Sequence, residues 1–300
     1  MTPHEITLTF PPMKRLRIAI DQMAPVLGDL DANFARHLDA VRWAKREKAD
    51  LLVFPELSLT GYLVRGMVHH VAIPIDDPRL GNLSREAGKT ALVVGFIEHA
   101  TDGRYFNVAS YLAGGRVQAT QRKLFLPNYG MFEEKRFFAQ GERVEPFDAP
   151  WGRTGMLICF DILHPAAGYL MEQAGVRLLI NISDSPARGI NGDGLMAGER
   201  IFRTAQEAHS RLLGLITVYV NRVGTEEGLT FWGGSQIMDP FGNALLTMAE
   251  YEPQRAVCEV DLSVVDRART TFPHLKESRP DLILQEMWRL RNGDAPVAQP

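Results

Sequence analysis

The chain has 300 residues, 45% of them hydrophobic and 23% charged, with a formal net charge of -3. This is the balance of a globular protein with a substantial core. It lacks the basic excess of a nucleic-acid surface, no run approaches the roughly 20 apolar residues of a membrane helix, and two cysteines cannot build a disulfide framework.

The first 14 residues contain no cationic segment followed by an apolar run and a cleavage site, so no signal peptide is expected and cytoplasm is the expected location. Residues 1–15 read as an arm. Leu16–Met23 is the first expected strand. Asp29 or Asp31 then caps a helix in which Leu30, Phe34, Leu38 and Val41 recur at helical spacing. Lys45, Arg46 and Lys48 suit that helix's negative end. "ADLLVFPELS" is apolar on both faces until Pro55, as in a central strand covered by helices, and "TALVVGFIEH" repeats the pattern. "NVASYLAGGRVQATQRKLFLP" reads as a hairpin turning at Gly114 and Gly115. "VEPFDAPWGRTGMLICF" is a further strand pair, "HPAAGYLMEQAG" a short helix and "VRLLINIS" a strand. "GLMAGERIFRTAQEAHSRLLG" is a long helix with Ile201, Phe202, Ala205, Ala208 and Leu212 along one stripe, packing on a sheet or on a second subunit. "LITVYVNRVG", "GGSQIMDPFGNALLTM" and "RAVCEVDL" complete the strands. Interleaved strands and helices without a linker argue for a single α/β domain, 16–285, followed by a tail, 286–300.

The sequence has no phosphate loop, no G-x-S-x-G elbow and no H-E-x-x-H helix. His69 and His70 are adjacent and are expected to diverge. Neither a metal nor a cofactor is indicated. Cys159, in "GMLICFDILHP", lies where an apolar strand gives way to a helix start. Such a position exposes a side chain, aims N–H groups at it and lowers a thiol's pKa. The residue also reads as a small buried hydrophobe. Cys258 reads as core. A nucleophilic thiol needs a base and an oxyanion partner. Glu56, directly after Pro55 at a strand end, is a candidate base if its surroundings are dry. Lys123 ends the strand "VQATQRK", and Glu133 and Glu134 sit among aromatics in "NYGMFEEKRFF".

Taken in order, "VFPELSLTGY", "RKLFLPNYGMFEEKRFF" and "GMLICFD" resemble the nitrilase superfamily of carbon–nitrogen hydrolases, with "VNRVG" and "GGSQIMDPFG" adding to the match from about Arg17 to Asp266. The resemblance implies a four-layer α-β-β-α sandwich with two mixed sheets, and subunits paired through helices as a homodimer or higher homo-oligomer. It implies Glu56 as general base, Lys123 as the lysine that stabilises the intermediate, Cys159 as nucleophile and Glu134 (Glu133 as fallback) as a second glutamate. The N–H of Phe160 would complete the oxyanion site.

"LPNYGMFEEKRFF" is most similar to the glutaminase domain of glutamine-dependent NAD synthetases, yet the sequence has no S-G-G-x-D-S loop, so the expectation is a stand-alone amidase acting on a small carboxamide. Carbamoyl-cleaving relatives often carry an arginine two residues after the aspartate that here is Asp161, where Leu163 stands. Nitrile hydration, N-carbamoyl cleavage and an ammonia-supplying role stay open as alternatives. Tyr129, Phe132, Ser183, Asp184, Ser185 and Trp232 are candidate pocket residues, and Arg188 a candidate partner for a substrate carboxylate. Trp232 alternatively packs at a subunit contact.

Overall fold

Successive side chains on a strand face opposite ways, so a strand apolar on both faces must be covered on both. The structure, a computed structural model, describes residues 15–189 and 196–293. Strand β1 (Arg15–Gln22) leads to helix α1 (Leu30–Arg46), β2 (Leu51–Val53), the one-turn α2 (Val68–Val71), α3 (Pro78–Ala87), β3 (Ala91–His99), β4 (Tyr105–Ala113) and β5 (Arg116–Arg122). Next come β6 (Phe147–Ala149), β7 (Gly152–Ile158), α4 (Pro165–Gln173), β8 (Leu178–Ser183), α5 (Ala197–Leu213) and β9 (Ile216–Asn221). The chain closes with β10 (Val223–Glu226), β11 (Leu229–Trp232), β12 (Gln236–Met238), β13 (Ala244–Thr247), β14 (Gln254–Asp261), α6 (Val264–Thr271), α7 (His274–Glu277) and α8 (Pro280–Asn292).

Two six-stranded sheets form, ordered β14-β1-β2-β3-β4-β5 and β13-β12-β9-β8-β7-β6, while β10 and β11 pair as a separate hairpin. Both sheets are mixed. β1, β2 and β3 run parallel and β4 returns antiparallel; β7, β8 and β9 run parallel with β6 antiparallel.

The strand period sets the layers. Ile18, Ile20, Leu51 and Val53 pack with Met156, Ile158, Ile180 and Val218 of the second sheet. Ala19 and Leu52 point the other way, onto Phe34 and Val41 of α1 and Leu80 and Leu83 of α3. On the far side Phe202 of α5 lies against Tyr219 of β9, ring centroids 5.6 Å apart. The result is the expected α-β-β-α sandwich. Each fully buried leucine or isoleucine contributes about 1.5–3 kcal/mol of transfer free energy. Asp29 caps α1, accepting from the N–H of Ala32 at 2.9 Å.

Several expectations are corrected. The long-helix stripe divides: Phe202 is buried, while Ile201 and Leu212 are more than half exposed. Cys258 is only partly buried, because β14 is an edge strand. His69 and His70 do not diverge; their rings lie 3.9 Å apart on the surface. Helix α8 runs through position 285 to Asn292, across the boundary where a tail was expected. The expected arm up to residue 14 and the tail from 294 lie outside the described residues.

Candidate active site

Parallel strands deliver their carboxyl ends to one edge of each sheet. Pro55 cannot donate to a ladder, so the chain turns out of β2 just before Glu56. Glu56 is fully buried. Its Oε1 accepts from Asn107 Nδ2 at 2.7 Å and Lys123 Nζ at 2.8 Å, and its Oε2 accepts from the backbone N–H of Asp184 at 2.7 Å. The turn presses against β3. A Cβ on Gly95 would lie 2.6 Å from both Pro55 O and Leu57 N, so only glycine lets the Glu56 turn come this close.

Lys123 follows β5. Arg122 faces outward, held by Glu98 through two bonds of 2.7 Å, so alternation sends Lys123 inward. Its ammonium lies 2.8 Å from Glu56 Oε1 and 2.8 Å from Glu134 Oε1. Glu134, in a short 3₁₀ turn, is buried and also accepts from Tyr62 Oη at 2.8 Å. Glu133 is exposed and faces Arg136, so of the two candidates Glu134 is the one on the lysine. Burial opposes the charge on Lys123, but the Glu134 and Glu56 carboxylates outweigh it and hold the ammonium well above its ordinary pKa. Burial pushes Glu134 up to about 7, against the pull of Lys123.

Cys159 opens a 3₁₀ turn directly after β7, with φ +47, a left-handed conformation that few non-glycine residues adopt. Phe160 is second in that turn, where its N–H has no intrahelical acceptor. Asp161 fastens the turn. Its Oδ1 accepts from the N–H groups of Leu124 and Phe125 at 3.1 and 2.8 Å, and its Oδ2 from that of Ile158 at 3.1 Å. One carboxylate therefore ties the segment after Lys123 to the strand before Cys159, joining the two sheets. Burial raises Asp161 to about 7.

The thiol corrects one expectation. Burial, then the charge of Glu56, raises Cys159 well above its ordinary pKa; Lys123 and the Ser183 hydroxyl pull it down less strongly. The resting group is a neutral thiol. A turn's N–H groups are outweighed by desolvation and a nearby carboxylate.

A cavity of about 570 Å³ opens onto Cys159, lined among others by Tyr129, Phe132, Phe160, Ser185 and Arg188. Three other candidates lie behind this wall. Ser183 is buried against the thiol. Asp184 is buried and offers its N–H to Glu56, not its side chain to the cavity. Trp232 is fully buried and donates Nε1–H to Ser185 Oγ at 3.2 Å, so it supports the wall from beneath rather than forming it. His164 lines the cavity too, stacked on Phe125 at 3.7 Å.

Sequence reading missed the residues that hold this geometry: Tyr62, Asn107, Asp161 and Asn221. Asn221, in "VNRVG", takes the N–H of Ser185 at 2.8 Å and donates to the carbonyls of Ser185 and Gly233 at 3.2 and 3.1 Å. Arg222 pairs with Glu226, whose Oε2 accepts the N–H groups of Tyr62 and Leu63 at 3.0 and 3.1 Å. For Asn107 and Asn221 the signal available was a polar residue inside an apolar strand, which is retained only when bonded. Burying ions costs several kcal/mol each, so a cluster of three charged side chains beside a cavity points to chemistry rather than stability.

The family model described as Carbon-nitrogen hydrolase matches residues 17–270. The chain is 31% identical over 256 residues to a glutamine-dependent NAD(+) synthetase of Thermotoga maritima, covering 83% of this chain and 43% of that protein. It is 31% identical over 268 residues to an (R)-stereoselective amidase of a Pseudomonas species, covering 88% of this chain and 92% of the amidase. The chain thus spans less than half of that synthetase and nearly all of that amidase. Among solved structures, a mutant of the amidase from Nesterenkonia sp. AN1 superposes with a TM-score of 0.76 at 25% identity, covering 90% of this chain and 96% of that one. That structure shows covalent addition of the acetamide moiety of fluoroacetamide at the active-site cysteine. The Acinetobacter baumannii NAD+ synthetase gives 0.74 at 27% identity, over 84% of this chain and 47% of that one.

Proposed function

The chain belongs to the carbon–nitrogen hydrolase family, and from that premise we propose that it is a thiol amidase that releases ammonia from a small carboxamide through a Cys159 thioester. The observation that carries the proposal is the buried cluster of Glu56, Lys123 and Glu134 behind the one cysteine that opens onto the cavity.

Glu56 accepts the thiol proton as Cys159 attacks the carbonyl carbon. Transfer accompanies attack, because burial and the Glu56 charge disfavour a free thiolate. The oxyanion is met by the Lys123 ammonium and the Phe160 N–H; losing one such donor typically costs about 3 kcal/mol. Glu56 returns the proton to the departing nitrogen, the C–N bond breaks and ammonia leaves. Glu56 then takes a proton from water, which attacks the thioester, releases the acid and restores the thiol. Glu134 keeps the ammonium fixed throughout. No step calls on a cofactor.

The site residues carry these roles as part of the proposal, as do pairing of subunits and a cytoplasmic location. Pairing is supported by the apolar groove along α5 lined by Ile201, Ala205, Ala208 and Leu212. Two free cysteines suit a reducing compartment. Among the described residues no helix is long and apolar enough to cross a membrane. A second reading, a glutaminase-type supplier of ammonia to a partner, is favoured by the match to the NAD synthetases.

Ammonia release from a panel of amides and nitriles, with Cys159→Ala as the blank, tests the proposal. An acyl adduct on Cys159 in the intact mass supports it; equal ammonia from both proteins ends it. A rate that rises only when a synthetase domain is added transfers support to the second reading.

A further inference from the structure

The cavity has a one-sided chemistry. Phe132, Phe160, Leu163, Pro186, Ile201 and Phe202 make most of its wall, and no carboxylate side chain lines it among the described residues. Burial lowers the pKa of His164, whose ring stacks on Phe125 and meets Phe160 edge-on. Among the described residues Arg188 is the only cationic side chain on the wall. Its guanidinium lies over the Phe132 ring, 5.3 Å from the centroid, and beside the backbone of Gly130. It is half-buried, and the ion pairs among the described residues do not include it. A cation on an apolar wall with no counter-ion among the described residues is electrostatically incomplete, and a planar guanidinium fits a carboxylate through two parallel bonds.

Resting on the amidase reading above, we propose that the substrate is a carboxamide with an aromatic-sized apolar body whose far end carries a carboxylate that meets Arg188. About 570 Å³ is ample for such a body. The same wall rejects a zwitterionic amide such as glutamine. Its ammonium would be desolvated with no acceptor of opposite charge among the described lining residues, while most of the apolar wall stayed unfilled.

The test is kcat/KM for ammonia release from 3-phenylpropanamide, its ring 4-carboxy and 4-aminomethyl derivatives, propanamide and L-glutamine. The carboxy compound should exceed the aminomethyl compound by at least tenfold, and both unsubstituted and carboxylated aryl amides should exceed propanamide and glutamine by roughly 10–200-fold, the discrimination apolar pockets achieve. Arg188→Met should bring the carboxy to aminomethyl ratio close to one, chiefly through KM, and Arg188→Lys should keep part of the preference. Better turnover of glutamine or propanamide, or a ratio unchanged in Arg188→Met, overturns the substrate class and leaves the amidase reading standing. No ammonia from any of the five, with Cys159 unacylated, overturns both.

Discussion

The phenol of Tyr62 donates to Glu134 Oε1 at 2.8 Å, the same oxygen that Lys123 Nζ contacts at 2.8 Å. Lys123 is thus held by a carboxylate that is itself held from a segment more than 70 residues away in sequence. Removing one hydroxyl tests how far the lysine depends on this support. Tyr62→Phe deletes a bond that favours ionised Glu134, so Glu134 should rise further from about 7. The acid limb of the pH profile of kcat/KM should move upward, and kcat/KM at pH 7 should fall by about tenfold, in line with a lost bond to a charged group. A pH-rate profile of both proteins checks this.

Asp161 gives a prediction for stability. Burial raises it from an ordinary 3.8 to about 7. A raised carboxyl binds its proton more tightly in the folded state, so its contribution is whole below about pH 4 and fades as pH climbs through its folded pKa. Urea titrations between about pH 4 and 8 should therefore show stability falling with pH. Asp161→Asn cannot titrate and should show a shallower slope. Part of the slope should persist, because Asp21 at about 6 and Glu134 at about 7 shift in the same sense. The variant should also lose activity, since its amide sets an N–H against that of Ile158 and leaves a buried donor unmet, at about 1–3 kcal/mol.

Cys159 should behave as a neutral thiol. In a Cys258→Ser background, its iodoacetamide alkylation rate should climb with pH and show no plateau up to its ordinary 9.0, because burial and Glu56 hold it higher. A plateau near pH 7 would mark a pre-formed thiolate. Stopped-time mass spectrometry gives the rates.

Gly95→Ala should harm activity more than stability. The added methyl meets Pro55 O and Leu57 N at 2.6 Å, and backbone cannot swing aside as a flexible side-chain tip can. Overpacking of this kind costs about 1–3 kcal/mol. Because the displaced turn carries Glu56, kcat should drop by about a hundredfold, the scale of a 1 Å misplacement. A thermal melt beside an ammonia assay separates the two effects.

The sequence made legible those features that are local in the chain. Glu56, Lys123 and Cys159 each stand just after a strand, and strand ends are where a sheet presents side chains. The apolar runs in "ADLLVFPELS" and "TALVVGFIEH" already indicated strands packed on both faces. The fastening was hidden. Tyr62, Asn107 and Asp161 act across long separations, and nothing near them in sequence names the partner. Thiol acidity was misjudged for the same reason: the local turn argues for a low value, while the opposing carboxylate arrives from another sheet. Two helices went unread: α3, whose short buried stripe of Leu80, Leu83, Ser84 and Ala87 is interrupted by Gly81, and α8, whose apolar residues Leu284, Met287 and Leu290 are exposed and so show no core-facing stripe.

Glu56 and Lys123 come from one six-stranded slab, Cys159 from the other, and Asp161 and the Asp184 amide bolt the two across the seam. The chemistry therefore reports on the alignment of the slabs, not on the integrity of either. Mild chaotrope that lets one shear past the other should silence turnover while circular dichroism stays at its starting value.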